Sequence, residues 1–167
     1  DQSIAVSQRG YEMNYWLSAI LLLSSFFSYA EDILPQKCRP IPIPGESVVL
    51  GGKKSMLILI HNISNNDLWI THPVTEPSAS AGWNSQLAEG QWSALVVDKK
   101  EFAINCIESK PGHEQQIPCQ GAIAMCEWTH TKLPGKSLGT YWAVENKSLA
   151  HLSAQLGSQG FKLPESD

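Results

Sequence analysis

The sharpest chemical constellation in the chain is Cys126 with His130, separated by three residues near the end of a strand-like run. One thiolate, two imidazoles and a weak thioether build a blue-copper centre, and His61 or His72 could bring the second imidazole. The pattern then fails. No Met follows His130 within a few residues, and the nearest, Met125, precedes the cysteine. Ligation through Cys126 would also leave an odd number of cysteines in an oxidising compartment. A copper-binding sandwich is thus an alternative to the plainer reading of a disulfide cysteine and a surface histidine.

Other chemistry is weaker still. Cys119 and Cys126 are separated by six residues, and the chain has no C-x-x-C pair that would point to a dithiol redox site or a zinc ribbon. Serines are plentiful, yet none sits in a G-x-S-x-G elbow. His113–Glu114 lies in a Gly/Pro-flanked loop, where a lone acid–base pair says little about catalysis. The expectation is a protein that is not an enzyme, with no catalytic residue, no metal and no cofactor.

The elements around these residues explain more. The first Met is Met13, and Leu17 to Phe27 is an uncharged apolar run. At about eleven residues it falls short of the ~20 needed to span a bilayer and matches the h-region of a secretory signal peptide. Ser28, Tyr29 and Ala30 place small residues at the positions a signal peptidase reads, so cleavage is expected between Ala30 and Glu31. Residues 1–30 are read as an upstream extension plus signal peptide, although only Arg9 supplies positive charge ahead of the apolar run. From Glu31 onward the chain has 11 basic and 14 acidic residues, a net charge of 11 − 14 = −3. That excludes a basic nucleic-acid-binding face or a polybasic membrane patch as the organising feature. All four cysteines (Cys38, Cys106, Cys119, Cys126) follow the expected cleavage site, and an even count in an exported chain reads as two disulfides. Cys106–Cys126 is the favoured pair, since those two lie on strands joined by one loop; Cys38–Cys119 would then tie down the N-terminal arm. The other two pairings stay open.

Residues 31–46 form that arm. Pro35, Pro40, Pro42 and Pro44 remove backbone donors and fix φ, so the stretch reads as polyproline-like rather than as a central strand. It either wraps its own domain or lies on a partner. Residues 47–167 are the body. Ser47–Leu50, Met56–Ile63, Leu68–His72, Ser93–Val97, Phe102–Glu108, Ala122–Thr129 and Thr140–Val144 are strand-like, with a long Ser/Gly/Pro loop after His72. Ser148 is a good N-cap and Gly157 a good helix stop, with Leu149, Leu152 and Leu156 on one stripe between them. Phe161 to Leu163 would add a short final strand. The fold class is mainly β: an Ig-like β-sandwich, or failing that a small barrel, with one short C-terminal helix and two disulfides.

Tryptophan marks the candidate contacts. Trp128 and Trp142 lie in apolar strands, and Trp69 in a shorter one. Trp83 and Trp92 lie in or beside the long loop, where an indole either caps the core or anchors an interface. The candidate partner-binding residues are therefore Pro40, Ile41, Pro42 and Ile43 of the arm with Trp83 and Trp92.

Several stretches carry a resemblance: LPQKCRPIPIP from Leu34 to Pro44, SMLILIHNIS followed by LWITHPV, EPSASAGW, CIESKPGHEQQIPC, and GFKLP from Gly160 to Pro164. Together they resemble the small EnhB-like "enhanced entry" proteins of intracellular bacterial pathogens. The resemblance implies a periplasmic, virulence-associated protein. It further implies an accessory structural subunit of the outer-membrane core complex of a Dot/Icm-like type IVB secretion system, whose partners are protein subunits including outer-membrane lipoproteins. No nucleic acid and no transmembrane segment of the mature chain are expected. In a bacterial chain the Asn62-Ile63-Ser64 and Asn146-Lys147-Ser148 sequons are expected to carry no glycan. The competing function is a stand-alone periplasmic inhibitor of a cell-wall hydrolase, inserting the loop Lys110–Gln120.

Overall fold

Runs of β-branched and other apolar residues, broken by Gly, Pro and Asn turns, fold as short strands and one helix. The computed structural model describes residues 34–51, 54–72, 84–98, 102–135 and 141–164. The upstream extension, the expected signal peptide and Trp83 lie outside these residues. The strands are β1 (Cys38–Pro40), β2 (Ser47–Leu50), β3 (Met56–Asn62), β4 (Leu68–Thr71), β5 (Asn84–Leu87), β6 (Trp92–Val97), β7 (Phe102–Glu108), β8 (Gln115–Ile117), β9 (Ile123–Trp128) and β10 (Tyr141–Asn146). The helix α1 spans Leu149–Ser158. All pairings are antiparallel. Sheet A runs β1-β9-β3-β6-β10; sheet B runs β2-β7-β4-β5, with β8 beside the C-terminal half of β7. Two sheets with separate edges make a sandwich rather than a barrel.

Strand parity builds the core between the sheets. Ile58 and Ile60 of β3, Leu95 of β6 and Met125 of β9 point from sheet A toward Leu68, Ile70, Phe102 and Ile104 of sheet B, all essentially without exposure. The alternate residues of sheet A are just as apolar. Leu57, Leu59, Ala94, Val96, Cys126 and Trp128 form a second cluster on its other face, closed by Leu152 and Leu156 of α1 and by Phe161. This is why β6 is buried at every position and β3 reads as a continuous apolar run: both faces are covered. Burial of Leu152 and Leu156 stabilises the docked helix by roughly 1.5–3 kcal/mol for each side chain.

The helix begins as expected, with the Ser148 side chain accepting the His151 N–H. It ends later than Gly157. Gln159 is the C-cap, and Gly160 adopts φ +96°, the left-handed conformation that a glycine enters without a Cβ penalty. The Phe161 N–H then donates to the Leu156 carbonyl and the Gly160 N–H to the Gly157 carbonyl, a Schellman closure whose apolar contact joins Phe161 to Leu156. The expected final strand reduces to a single bridge between Lys132 and Lys162.

The disulfides are Cys38–Cys126 and Cys106–Cys119, which corrects the favoured pairing of Cys106 with Cys126 and Cys38 with Cys119. Parity gives the reason. Cys106 points into the space between the sheets, whereas Cys126 sits on the helix side of sheet A, so sheet A itself separates them. Two disulfides in a chain of this kind belong to an oxidising compartment outside the cytoplasm. Among the described residues no helix is long and apolar enough to cross a membrane.

Candidate protein-interaction edge

The proline arm forms one side of the sandwich. Its first part is β1, an edge strand of sheet A paired through Cys38 with Trp128, Arg39 with Glu127 and Pro40 with Cys126. An edge is where a strand tolerates proline, because the missing N–H would have faced solvent. The Cys38–Cys126 bond fastens this end covalently, and the Arg39 guanidinium pairs with the Glu127 carboxylate beside it. The Ile41 N–H donates to the Met125 carbonyl at 2.9 Å, the last backbone bond to β9.

The arm then crosses from sheet A to sheet B. Ile41 and Ile43 pack against the inter-sheet core, while Pro40, Pro42 and Pro44 are exposed. The period is two, as in an extended strand, so one apolar side seals the sandwich and three pyrrolidine rings face outward. At its far end the arm is held again. The Cys119 N–H donates to the Glu46 carbonyl at 3.1 Å and the Gln120 N–H to the Gly45 carbonyl at 3.0 Å. Cys119 is itself bonded to Cys106, so each end of the arm abuts a disulfide. The arm is therefore joined to the Cys119 loop by backbone hydrogen bonds and not by the expected Cys38–Cys119 disulfide.

This arrangement limits what the edge can recognise. Prolines offer no N–H, so the exposed side is a poor template for strand addition. A partner would read rings and free carbonyls, as aromatic grooves read extended proline-rich segments. Val49, on β2 directly after the arm, is 65% exposed and pairs with Ala103, which places it on the outer face of sheet B. It was not a sequence candidate, because in Ser47-Val48-Val49-Leu50 either valine could face inward; Val48 does, being 2% exposed.

The other candidates are scattered. Trp92 is 8% exposed and sits in the helix-side cluster, stacked on His61 with ring centroids 3.9 Å apart and planes 5° from parallel. Its indole area is therefore used within its own domain. Trp83 lies outside the described residues. His61 Nε2 bonds the Gly90 carbonyl at 3.2 Å, and its Nδ1 is buried without a partner. Burial lowers the pKa of this imidazole, opposed in part by the Gly90 contact. His72 hydrogen-bonds the Ala103 carbonyl and stacks on Phe102, while His130 occupies an exposed turn at φ 61°. With Cys126 bonded to Cys38, the copper alternative has no thiolate, and among the described residues no three His, Cys, Asp or Glu side chains group as metal ligands.

The Asn62 sequon is closed to modification in the folded chain. Asn62 is fully buried; its Nδ2 donates to the Asn66 and Leu87 carbonyls, and its Oδ1 accepts from the Ser64 N–H and hydroxyl. These bonds fix the β3–β4 turn and join it to the end of β5. Sequence reading placed Asn62 near the end of the strand Met56–Ile63 and had no signal for this hub, since nothing in the local pattern says that an Asn before a turn is buried. No family model matches the chain, and neither does any curated protein or solved structure.

Proposed function

We propose that this chain is an exported, non-catalytic module of a periplasmic, outer-membrane-associated secretion assembly of the type IVB kind, engaging neighbouring subunits through its proline arm. The observation that carries the reading is the arm itself. Pro40, Pro42 and Pro44 face outward from a segment whose two ends are held by a disulfide and by a pair of backbone hydrogen bonds. A surface already fixed in this way loses little conformational entropy when it is bound. The disulfides agree with an extracytoplasmic location. The assembly is named by the resemblance to the enhanced-entry proteins and by nothing else.

The test is a pair of charge substitutions on exposed rings, Pro40→Glu with Pro42→Glu, in a tagged copy expressed in the producing bacterium. The variant should melt like the parent and be lost from the outer-membrane complex. Retention at the parental ratio would remove the arm from the interface.

A second reading has its own observation. The hairpin between β7 and β8 exposes Lys110 to Gln116, and Cys106–Cys119 closes its base across a separation of 13 residues. A stapled, protruding loop suits insertion into an enzyme cleft, so the chain would inhibit a cell-wall hydrolase. Purified protein that slows no muramidase would eliminate this reading.

A further inference from the structure

The outer face of sheet B carries a second surface, independent of the arm. No described element covers it, and parity decides what it shows. Across the sheet, cross-strand register aligns Gln116 of β8, Ile107 of β7, Trp69 of β4 and Gln86 of β5 in one row. In the next row Asn105 of β7 stands beside Thr71 of β4. Gln86 and Gln116 are exposed, and the other four are half-buried. Trp69 belongs to neither buried cluster, in contrast to Trp92 and Trp128 on sheet A.

The chemistry of this face is uniform. An indole and an isoleucine side chain lie side by side, and carboxamides flank them at both ends of the row. In the row beside it a carboxamide and a hydroxyl, of Asn105 and Thr71, stand next to Ser47 of β2. None of these residues bears a charge, in a chain that has 12 basic and 16 acidic residues to place. The amide and hydroxyl groups of Gln86, Gln116, Asn105 and Thr71 make no hydrogen bond to another described group, and the exposed Gln86 and Gln116 carry donors and acceptors of both kinds. The Asn62 amide, by comparison, is fully used inside the fold.

We infer that this face binds an uncharged carbohydrate chain. A pyranose presents an apolar C–H face, which stacks on an indole, and a rim of hydroxyl or acetamido groups, which both donate and accept. Neutral carboxamides match that rim and add no charge to be desolvated against a neutral ligand. The row crosses three interstrand spacings, roughly 14 Å, enough for a short oligosaccharide to lie across the strands. Extended protein segments would pair with the free edges of β5 and β8 rather than lie across the face, and anionic polymers fit worse because the described residues of the face offer no cation.

The experiment titrates two neutral tetrasaccharides, tetra-N-acetylchitotetraose and cellotetraose, into the full folded chain. Amide chemical shifts are followed in a ¹H–¹⁵N spectrum. Saturable shifts confined to β4, β5, β7 and β8 are expected with at least one sugar. Trp69→Ala should weaken binding at least tenfold, and the double variant Gln86→Ala with Gln116→Ala several-fold, with the rest of the spectrum unchanged. The Gln variants keep the test decisive should Trp69→Ala perturb the sheet. Absence of saturable shifts with both sugars, or equal affinity in the Trp69 and Gln variants, overturns the inference. The Pro40→Glu/Pro42→Glu variant should bind sugar as the parent does, so this test and that of the arm fail separately.

Discussion

The two sheets of this sandwich do different work. Sheet A is covered on one face by sheet B and on the other by α1, and its central strands β3 and β6 are apolar at nearly every position. Among the described elements sheet B is covered on one face only, and its strands alternate: Phe102, Ile104 and Cys106 point inward, while Ala103, Asn105 and Ile107 are half-exposed. The contrast shows where stability resides. Sheet A and its helix hold the fold together. The two surfaces proposed for binding, the arm along the sandwich edge and the open face of sheet B, lie outside that covered layer.

The comparison breaks first by truncation. Leu59→Ala, in the middle of β3 and fully buried, should cost about 2–5 kcal/mol in denaturant melts. Trp69→Ala, a much larger deletion on the open face, should cost about 1 kcal/mol or less. Equal losses would mean that the open face is structurally as occupied as the covered one.

The disulfides come next. Cys38–Cys126 spans 88 residues of chain and Cys106–Cys119 spans 13. On the loop-entropy account their removal as paired Ala substitutions costs about 4.6 and about 3 kcal/mol respectively. Urea midpoints of the two double variants give the order, and a larger loss from the Cys106/Cys119 pair would show that native-state contacts outweigh loop closure.

The helix end provides an effect of opposite signs at two glycines. Gly157 lies within α1, exposed and with nothing near the site of an added Cβ, so Gly157→Ala should stabilise by about 0.5–1 kcal/mol. Gly160 holds φ +96°, and Gly160→Ala should destabilise by about 1 kcal/mol or more. Thermal melts of the two variants should move in opposite directions.

His61 contributes the smallest effect. Its folded pKa lies below the unfolded value near 6.5, so the unfolded chain takes up a proton that the native chain refuses. Above about pH 6.5 both forms are neutral and the group has no influence on stability. As pH falls below that value stability declines, and the decline levels off once the native imidazole is also charged. His61→Gln should flatten this part of a stability–pH curve; an unchanged slope between pH 7 and 5 would assign it to other groups.

Much of the fold was legible because apolar runs mark strands whatever covers them. β2 and β7 stand at the residues expected, and β3, β4, β6, β9 and β10 within two residues or so. β1 was hidden by proline, which ordinarily argues against a strand and here marks an edge. β5 and β8 were hidden by composition: Asn84-Ser85-Gln86-Leu87 and Gln115-Gln116-Ile117 each carry a single apolar residue. Ser85 faces the interior all the same, its hydroxyl donating to the Glu145 carboxylate of β10. The disulfide pairing was illegible for a related reason. Both faces of β9 are apolar, so the sequence does not reveal that Cys126 looks toward the helix while Met125 looks toward sheet B. The arm was readable as an arm, but the inward turn of Ile41 and Ile43 depends on a core that only the packed sheets create.

The central claim, that the chain is a subunit of a secretion assembly, is tested most directly by purifying a C-terminally tagged copy from the producing bacterium in mild detergent and weighing the intact complexes. The account predicts outer-membrane secretion components in fixed ratio with the tagged chain. Recovery of the chain alone, or with a single soluble hydrolase, would contradict it and make the stapled Lys110–Gln120 loop the site to pursue.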